Sequence, residues 1–159
     1  MTTIEARPWD DPAGVSLRTR QREEVMDRYG GVDTEPGAHP TADDVAVFLI
    51  AFDTAGTPVG CGALRQLDHS SAEIKRMYVD PQARGTGVAT AVLRALERAA
   101  VDRGWTTVRL ETGTGQPDAI RFYEREGYVA IPLYGDYIGS ELSLCYERVL
   151  SSGAPADVR

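Results

Sequence analysis

The sequence predicts a single α/β domain over residues 1–150, with a sheet that is antiparallel in its first half. Three apolar segments follow one another with only short turns between them, at 45–52, 59–67 and 73–79. A strongly amphipathic helix begins after Gly87, and strands then alternate with helices. A chain of 159 residues is long enough to bury one substantial core. The small and polar residues 151–159 predict a flexible tail.

The first half begins with a short strand over Thr3–Trp9, followed by a polar helix from Pro12 to about Tyr29. Proline is favoured in a first helical turn, and the Gly30-Gly31 pair ends the helix. Residues 32–44 are rich in Pro, Gly, Asp and Thr, so we expect a loop there. The following run, 45–52, is continuously apolar and indicates a buried strand. Two more strands complete an antiparallel set, at Val59–Leu67 and Glu73–Val79.

The second half contains the clearest helix of the chain. Its apolar residues recur at helical spacing, and Gly104 ends it; they are Val88, Val92, Leu93, Leu96 and Ala100. A strand is expected over Thr106–Glu111, and Pro117 begins another helix that Gly127 ends. Two final strands are expected at Tyr128–Leu133 and Ser143–Leu150.

Composition excludes several classes of function. The formal net charge is -7, and nucleic-acid binding needs a basic surface, so we expect no nucleic-acid partner. The chain has two cysteines, Cys61 and Cys145, and two histidines, without the spacing of a zinc site. No segment has the apolar length of a signal peptide or a membrane span. We therefore expect a cytoplasmic protein without a bound metal or a membrane partner.

A glycine-rich turn precedes the amphipathic helix and is suited to bind a phosphate group. Gly85 and Gly87 let the backbone approach a ligand closely, and the first helical N–H groups have no partner within the helix. The helix dipole favours an anion at this end, and Arg84 can add a charged contact. No lysine follows as a P-loop requires. The position of a third glycine in a dinucleotide fingerprint holds Thr90.

The turn and its flanks resemble the GNAT family of N-acetyltransferases. Arg84-x-x-Gly87-x-Ala89 is similar to the family's acetyl-CoA signature, R/Q-x-x-G-x-G/A. The upstream segment 72–81 looks like the family's fourth strand. Downstream, 116–128 is similar to its N-x-x-A-x-x-F/L-Y-x-x-x-G-F/Y element, with Gln116 in place of the usual Asn. The resemblance extends from Val45 to Leu150 and is only general in the N-terminal third.

The resemblance implies a fold and a cosubstrate. The implied fold is a mixed, mostly antiparallel sheet of six to seven strands, with about four helices and a splay between strands 4 and 5. The implied cosubstrate is acetyl-CoA, whose pantetheine would pair with the backbone of Met77, Tyr78 and Val79. Its pyrophosphate would lie on the turn residues, with Gln116 as a further contact; the turn comprises Arg84, Gly85, Thr86, Gly87, Val88 and Ala89.

Two residues are candidates for proton transfer. Glu73 is the candidate base, because several family members carry a glutamate just before the apolar part of this strand. Its alternative role is an ion pair with Lys75 or with an arginine of a neighbouring strand. The resemblance implies that Tyr123 protonates the leaving thiolate, and its alternative role is a core aromatic.

The acceptor is expected to be a small-molecule or peptide amine. A late loop between the last two strands carries Tyr134, Asp136 and Tyr137, which would border its pocket; a surface turn is the alternative interpretation. The predicted activity is direct transfer of acetyl to a primary amine. A non-catalytic acyl-CoA sensor of the same fold stays open as an alternative, as do a monomer and a homodimer.

Overall fold

The computed structural model describes residues 2–150, and the predicted tail at 151–159 lies outside them. The strands are β1 (Thr3–Ala6), β2 (Val45–Phe52), β3 (Pro58–Gln66), β4 (Ser71–Val79), β5 (Thr107–Gly113), β6 (Val129–Ile131) and β7 (Ser143–Val149). The helices are α1 (Pro12–Arg28), α2 (Val88–Asp102) and α3 (Pro117–Arg125). Two three-residue 3₁₀ turns occur at Pro81–Ala83 and Gly135–Tyr137.

The expectation of about four helices is wrong, because residues 2–150 contain three α-helices. The remaining helical segments are single turns, too short to form an α-helix. Two predicted strands are also shorter than expected. β1 ends before Pro8 and β6 ends before Pro132, because proline has no N–H to donate to a neighbouring strand.

The seven strands form one mixed sheet in the order β1-β2-β3-β4-β5-β7-β6. Every neighbouring pair is antiparallel except β4 and β5, which are parallel. Their pairing begins at Ser71 with Thr107 and ends at Ile74 with Leu110. The last five residues of β4 therefore have no partner on β5, which confirms the predicted splay and leaves an opening through the sheet.

A bulge in β4 lies beside this opening. The register with β3 shifts between Cys61 and Ala63, and Arg76 has a φ of 59°, in the left-handed region that non-glycine residues rarely adopt. The Cys61 thiol donates to the Arg76 carbonyl at 3.3 Å. Gly62 lies inside the shifted stretch, where a Cβ atom would come within 2.7 Å of Met77 Sδ. The glycine therefore makes room for the bulged strand.

The two faces of the sheet are covered by different helices. The predicted stripe of α2 is confirmed, and its five members are buried against one face: Val88, Val92, Leu93, Leu96 and Ala100. On the opposite face, Leu17 of α1 packs with Phe48, Ile50 and Cys61. Within residues 2–150, no helix combines the length and the apolar character needed to cross a membrane.

Candidate active site

Two cavities meet at the splay. We call the first the turn cavity; it has a volume of about 570 Å³ and lies between α1, the end of β4, the glycine-rich turn and α3. We call the second the sheet cavity; it measures about 140 Å³ and lies between the second half of α1, loop residues 33–35, and the diverging parts of β4 and β5. The linings share six residues: Gln21, Val25, Met77, Gln116, Ala119 and Tyr123. The two cavities are therefore adjacent, with these shared residues between them.

Most of the predicted cofactor residues line the turn cavity: Met77, Tyr78, Val79, Arg84, Gly85, Gly87, Ala89 and Gln116. Thr86 and Val88 are outside its lining. The Thr86 hydroxyl donates to the Ala83 carbonyl, and the Val88 side chain is buried in the core. The side chains of these two residues stabilise the turn and the helix, while their backbone N–H groups belong to the same turn.

The glycine turn has the geometry that an anion requires. Gly85 and Gly87 have φ values of 78° and 89°, which other residues adopt only with strain. Gly87 is the N-cap of α2, and no side chain of the described residues caps this helix end. Its first backbone N–H groups are therefore free to bind a phosphate, and a pyrophosphate fits this end of the cavity.

Arg84 links the turn to α1. Its Nη2 forms an ion pair with Glu24 Oε1 at 2.8 Å, and its Nε donates to the Val79 carbonyl at 3.0 Å. The side chains of Arg84 and Glu24 are each more than 30% exposed. A phosphate in the turn cavity would compete with Glu24 for this guanidinium.

Tyr123 lies where the two cavities meet. Its side chain is 7% exposed and packs edge-on against Phe122 and Tyr128, with ring centroids 5.1 and 5.7 Å away. Burial raises the pKa of the Tyr123 phenol above its ordinary value, so the hydroxyl stays protonated at neutral pH. Among residues 2–150 its hydroxyl has no hydrogen-bond partner. The group is therefore available as a proton donor to a ligand.

Glu73 is enclosed by protein groups. It is 1% exposed; Arg65 Nη2 donates to its Oε1 at 2.8 Å, and the hydroxyls of Tyr134 and Tyr137 donate to its Oε2 at 2.7 and 2.8 Å. The lining of either cavity, as far as residues 2–150 define it, omits Glu73, Tyr134 and Tyr137. Asp136 is exposed and lies in the 3₁₀ turn between the two tyrosines. The predicted acceptor loop therefore contacts Glu73 rather than a cavity.

Lys75 lies between Tyr137, a hydrogen-bond partner of Glu73, and the sheet cavity. Its Nζ donates to the Tyr137 hydroxyl at 3.0 Å and to Glu35 Oε2 at 2.6 Å. Arg76 Nη2 binds the other Glu35 oxygen at 3.0 Å. Although burial opposes ionisation of Glu35, the charges of Lys75 and Arg76 outweigh it, and the pKa of Glu35 lies below its ordinary value. Glu35 thus stays a carboxylate and forms ion pairs with both cations.

Glu111 was not predicted as a site residue. It follows Leu110, the last β5 residue paired with β4, and it lines the sheet cavity. The Ser143 hydroxyl donates to Glu111 Oε2 at 2.7 Å, and within residues 2–150 no cation lies in ion-pair range. Burial raises the pKa of Glu111 above its ordinary value in spite of the Ser143 hydrogen bond. A carboxylate in this environment accepts a proton more readily than an exposed one.

Comparison with known proteins identifies the family. The family model described as the acetyltransferase (GNAT) family matches residues 9–128. The chain therefore belongs to the GNAT family, and it is an acyltransferase. It is 36% identical over 135 residues to the IAA acetyltransferase of Azospirillum brasilense, covering 80% of this chain and 87% of that protein.

Solved structures agree with this assignment. A crystal structure from Klebsiella pneumoniae subsp. pneumoniae, provisionally named an acyl-CoA N-acyltransferase, is 32% identical with a TM-score of 0.79 and covers 95% of this chain and 99% of its own. A GNAT acetyltransferase from Elizabethkingia anophelis with acetyl-CoA bound has a TM-score of 0.68 at 16% identity, and covers 94% of this chain and 98% of its own. At that identity the second likeness shows the fold alone.

Proposed function

We propose that this protein is an N-acetyltransferase that transfers the acetyl group of acetyl-CoA to a primary amine by direct attack. The observation that carries the proposal is the meeting of two cavities at the splay, with Tyr123 at their junction. This arrangement lets two substrates approach each other from neighbouring cavities. Acetyl-CoA, when bound, supplies an activated thioester.

The turn cavity is the proposed site of acetyl-CoA. The uncapped start of α2 and the adjacent Arg84 suit its pyrophosphate. The backbone of Met77, Tyr78 and Val79 suits the pantetheine arm, because β5 does not pair with this part of β4. Side chains of Gln21 and Arg84 donate to the Met77 and Val79 carbonyls there. The Elizabethkingia protein, which has the same fold, binds acetyl-CoA, and this supports acetyl-CoA as the cosubstrate.

The proton balance of the reaction requires a base and an acid. The acceptor ammonium must lose a proton to become a nucleophile, and the departing thiolate must be stabilised or protonated. Tyr123 is the proposed acid, since its buried phenol is protonated and lies at the junction. Glu111 is the proposed base, since it lines the sheet cavity, has no ion-pair partner among the described residues and has a raised pKa.

The prediction that Glu73 is the base stays a prediction. Its two oxygens already accept hydrogen bonds from Arg65, Tyr134 and Tyr137, which leaves it less accessible than Glu111. Its contacts favour a positioning role, in which it fixes Tyr137 and, through that hydroxyl, Lys75 at the wall of the sheet cavity. The volume of the sheet cavity favours a small-molecule amine or the end of a single side chain as acceptor.

An acetyl-CoA-dependent thiol-release assay over small amines, amino acids and short peptides tests this proposal, with the acetylated product identified by mass spectrometry. We expect release that depends on the amine and a rise in melting temperature with CoA, since a ligand that binds the native state stabilises it. CoA binding without transfer to any amine would instead favour the non-catalytic sensor. No thermal shift at millimolar CoA would contradict both.

A further inference from the structure

Arg76 is held in a backbone conformation that a glycine would adopt more easily. It is the one non-glycine residue among 2–150 with a positive φ, and it lies in the β4 bulge beside the splay. Such strained residues cluster at functional sites, because the surrounding structure must enforce them. The side chain of Arg76 is 12% exposed and lines the sheet cavity. The residue with the strained backbone therefore places a guanidinium group at the wall of this cavity.

Arg76 shares its carboxylate partner with a second cation. Arg76 and Lys75 share a single carboxylate, Glu35, at 3.0 and 2.6 Å. The other charged groups of this wall are Arg22 and Asp33, whose closest charged atoms are 4.0 Å apart, and Asp33 also binds His39 at 3.0 Å. Of the Lys, Arg, Asp and Glu residues that line this side of the cavity, three are cations and two are carboxylates. Glu73 reaches Lys75 only through the Tyr137 hydroxyl and has its own ion pair with Arg65.

A carboxylate, Glu111, lies on another side of the same cavity. Glu111 lies on β5, across the splay from Lys75 and Arg76 on β4. Among the described residues it has a hydroxyl partner, Ser143, but no cation in ion-pair range. The lining of the sheet cavity thus includes a carboxylate on β5 and the cations Lys75 and Arg76 on β4, and the charge of Lys75 acts on Glu111 without a direct ion pair.

We propose that the acceptor is an amine that also carries a carboxylate, as an amino acid does, and that Arg76 binds this carboxylate. The inference rests on the proposed function and names the substrate class of the same site. The amine lies at Glu111, which accepts its proton, and the carboxylate lies at the guanidinium. Arginine suits this role because its planar guanidinium forms paired hydrogen bonds with a carboxylate.

The test compares amines that differ only in the carboxylate: L-tyrosine with tyramine, L-lysine with cadaverine, and glycine with methylamine. We expect the wild-type enzyme to show a kcat/KM at least about tenfold higher for the carboxylate-bearing member of the pair it acetylates fastest. A wild-type enzyme that prefers the decarboxylated amines, or treats both members alike, would overturn the inference while leaving the proposed function intact.

Variants separate this role from a structural one. Arg76→Gly removes the side chain and relieves the backbone strain, so we expect a melting temperature no lower than wild type together with loss of the carboxylate preference. Arg76→Lys should keep part of the preference. Arg98→Met removes an exposed cation from α2 and is the matched charge control, with the preference unchanged. A strong fall in the stability of Arg76→Gly, or a preference that survives it, would overturn the inference.

A binding measurement covers the case of slow turnover. With CoA present, N-acetyl-L-tyrosine should raise the melting temperature of the wild-type protein more than N-acetyltyramine does, and Arg76→Gly should abolish the difference. The same small shift for both compounds would contradict carboxylate binding. Absence of any shift with CoA alone would count against the proposed function itself, so the two failures are distinguishable.

Discussion

Arg65 and Glu73 lie directly opposite each other in the antiparallel register of β3 and β4, and 2.8 Å separates Arg65 Nη2 from Glu73 Oε1. Two tyrosine hydroxyls complete the partners of this carboxylate. A buried ion pair is costly to break from one side, because the remaining charge stays in a poorly solvated place. The pair therefore joins the sheet to the loop that carries Tyr134 and Tyr137.

We predict that Glu73→Gln lowers the free energy of unfolding by about 3 kcal/mol, since it removes the buried partner of Arg65 and leaves only the exposed Asp44, at 3.2 Å, to pair with it. Urea denaturation measures this change. Glu147→Gln is the control, because Glu147 forms a comparable cross-strand pair with Arg109 at 3.0 Å that is about a quarter to a third exposed. That variant should lose less than about 1 kcal/mol. Equal losses in the two variants would contradict a structural role for Glu73.

Tyr123→Phe is expected to lower kcat about a hundredfold, the range for loss of a general acid. Its hydroxyl has no hydrogen-bond partner within residues 2–150, so the free energy of unfolding should stay near that of wild type. Steady-state kinetics with saturating acetyl-CoA measure the first quantity and thermal unfolding the second. Tyr146→Phe is the control, because that hydroxyl binds Glu124 and its ring lines neither cavity. Full turnover in Tyr123→Phe would remove it from the mechanism.

Glu111→Gln is expected to lower kcat/KM for the amine about a hundredfold and to change its pH profile. A base must be ionised, so wild-type activity should rise with pH through a pKa above the ordinary range of a carboxyl group. The variant should lose this acidic limb. Kinetics of both proteins between about pH 5 and 8 make the comparison. A limb that disappears in Glu73→Gln but persists in Glu111→Gln would reassign the base to Glu73.

We expect the Glu111 carboxyl group to make protein stability depend on pH. Because the pKa of Glu111 is raised in the folded protein, the folded state holds this proton more tightly than the unfolded chain. Its contribution to stability is therefore present below the ordinary carboxyl pKa and is lost as pH rises through the raised one. Urea denaturation across this window should show a decline in wild type that Glu111→Gln lacks.

Glu24→Gln is expected to strengthen CoA binding about two- to fivefold, because it frees Arg84 from an exposed ion pair worth up to about 1 kcal/mol. Arg84→Met should weaken binding instead. Isothermal titration with CoA measures both, and added salt should reduce the difference, since exposed charges are screened. Weaker binding in Glu24→Gln would show that Glu24 supports the site rather than competing for Arg84.

Local patterns predicted the parts of the fold that depend on nearby residues. The α2 stripe and the glycine turn follow from spacing and from backbone freedom, and both occur as expected. Glu97 lies off the predicted stripe yet is 5% exposed, because Tyr128 and Arg148 from other elements bind its carboxylate. Helical periodicity alone carries no information about such distant partners.

The candidate site depended more on tertiary register. Glu73 had two interpretations in the sequence, and its contact with a neighbouring-strand arginine, Arg65, is the second of them. Glu111 became a site residue because β4 and β5 separate after Leu110, a point that strand patterns do not define. The strained backbone of Arg76 follows from a register shift in β4, which the apolar pattern of that strand does not reveal.

Helix α1 touches both cavities through Gln21 and Val25, and Gln21 Nε2 also donates to the Met77 carbonyl at 2.8 Å. A ligand that shifts this helix from one side changes the lining of the cavity on the other. By thermodynamic linkage, the factor by which acetyl-CoA raises the affinity for the amine must equal the factor by which the amine raises the affinity for acetyl-CoA. A change in α1, such as Gln21→Ala, should therefore alter both factors by the same amount, because this helix is the element that the two substrates share.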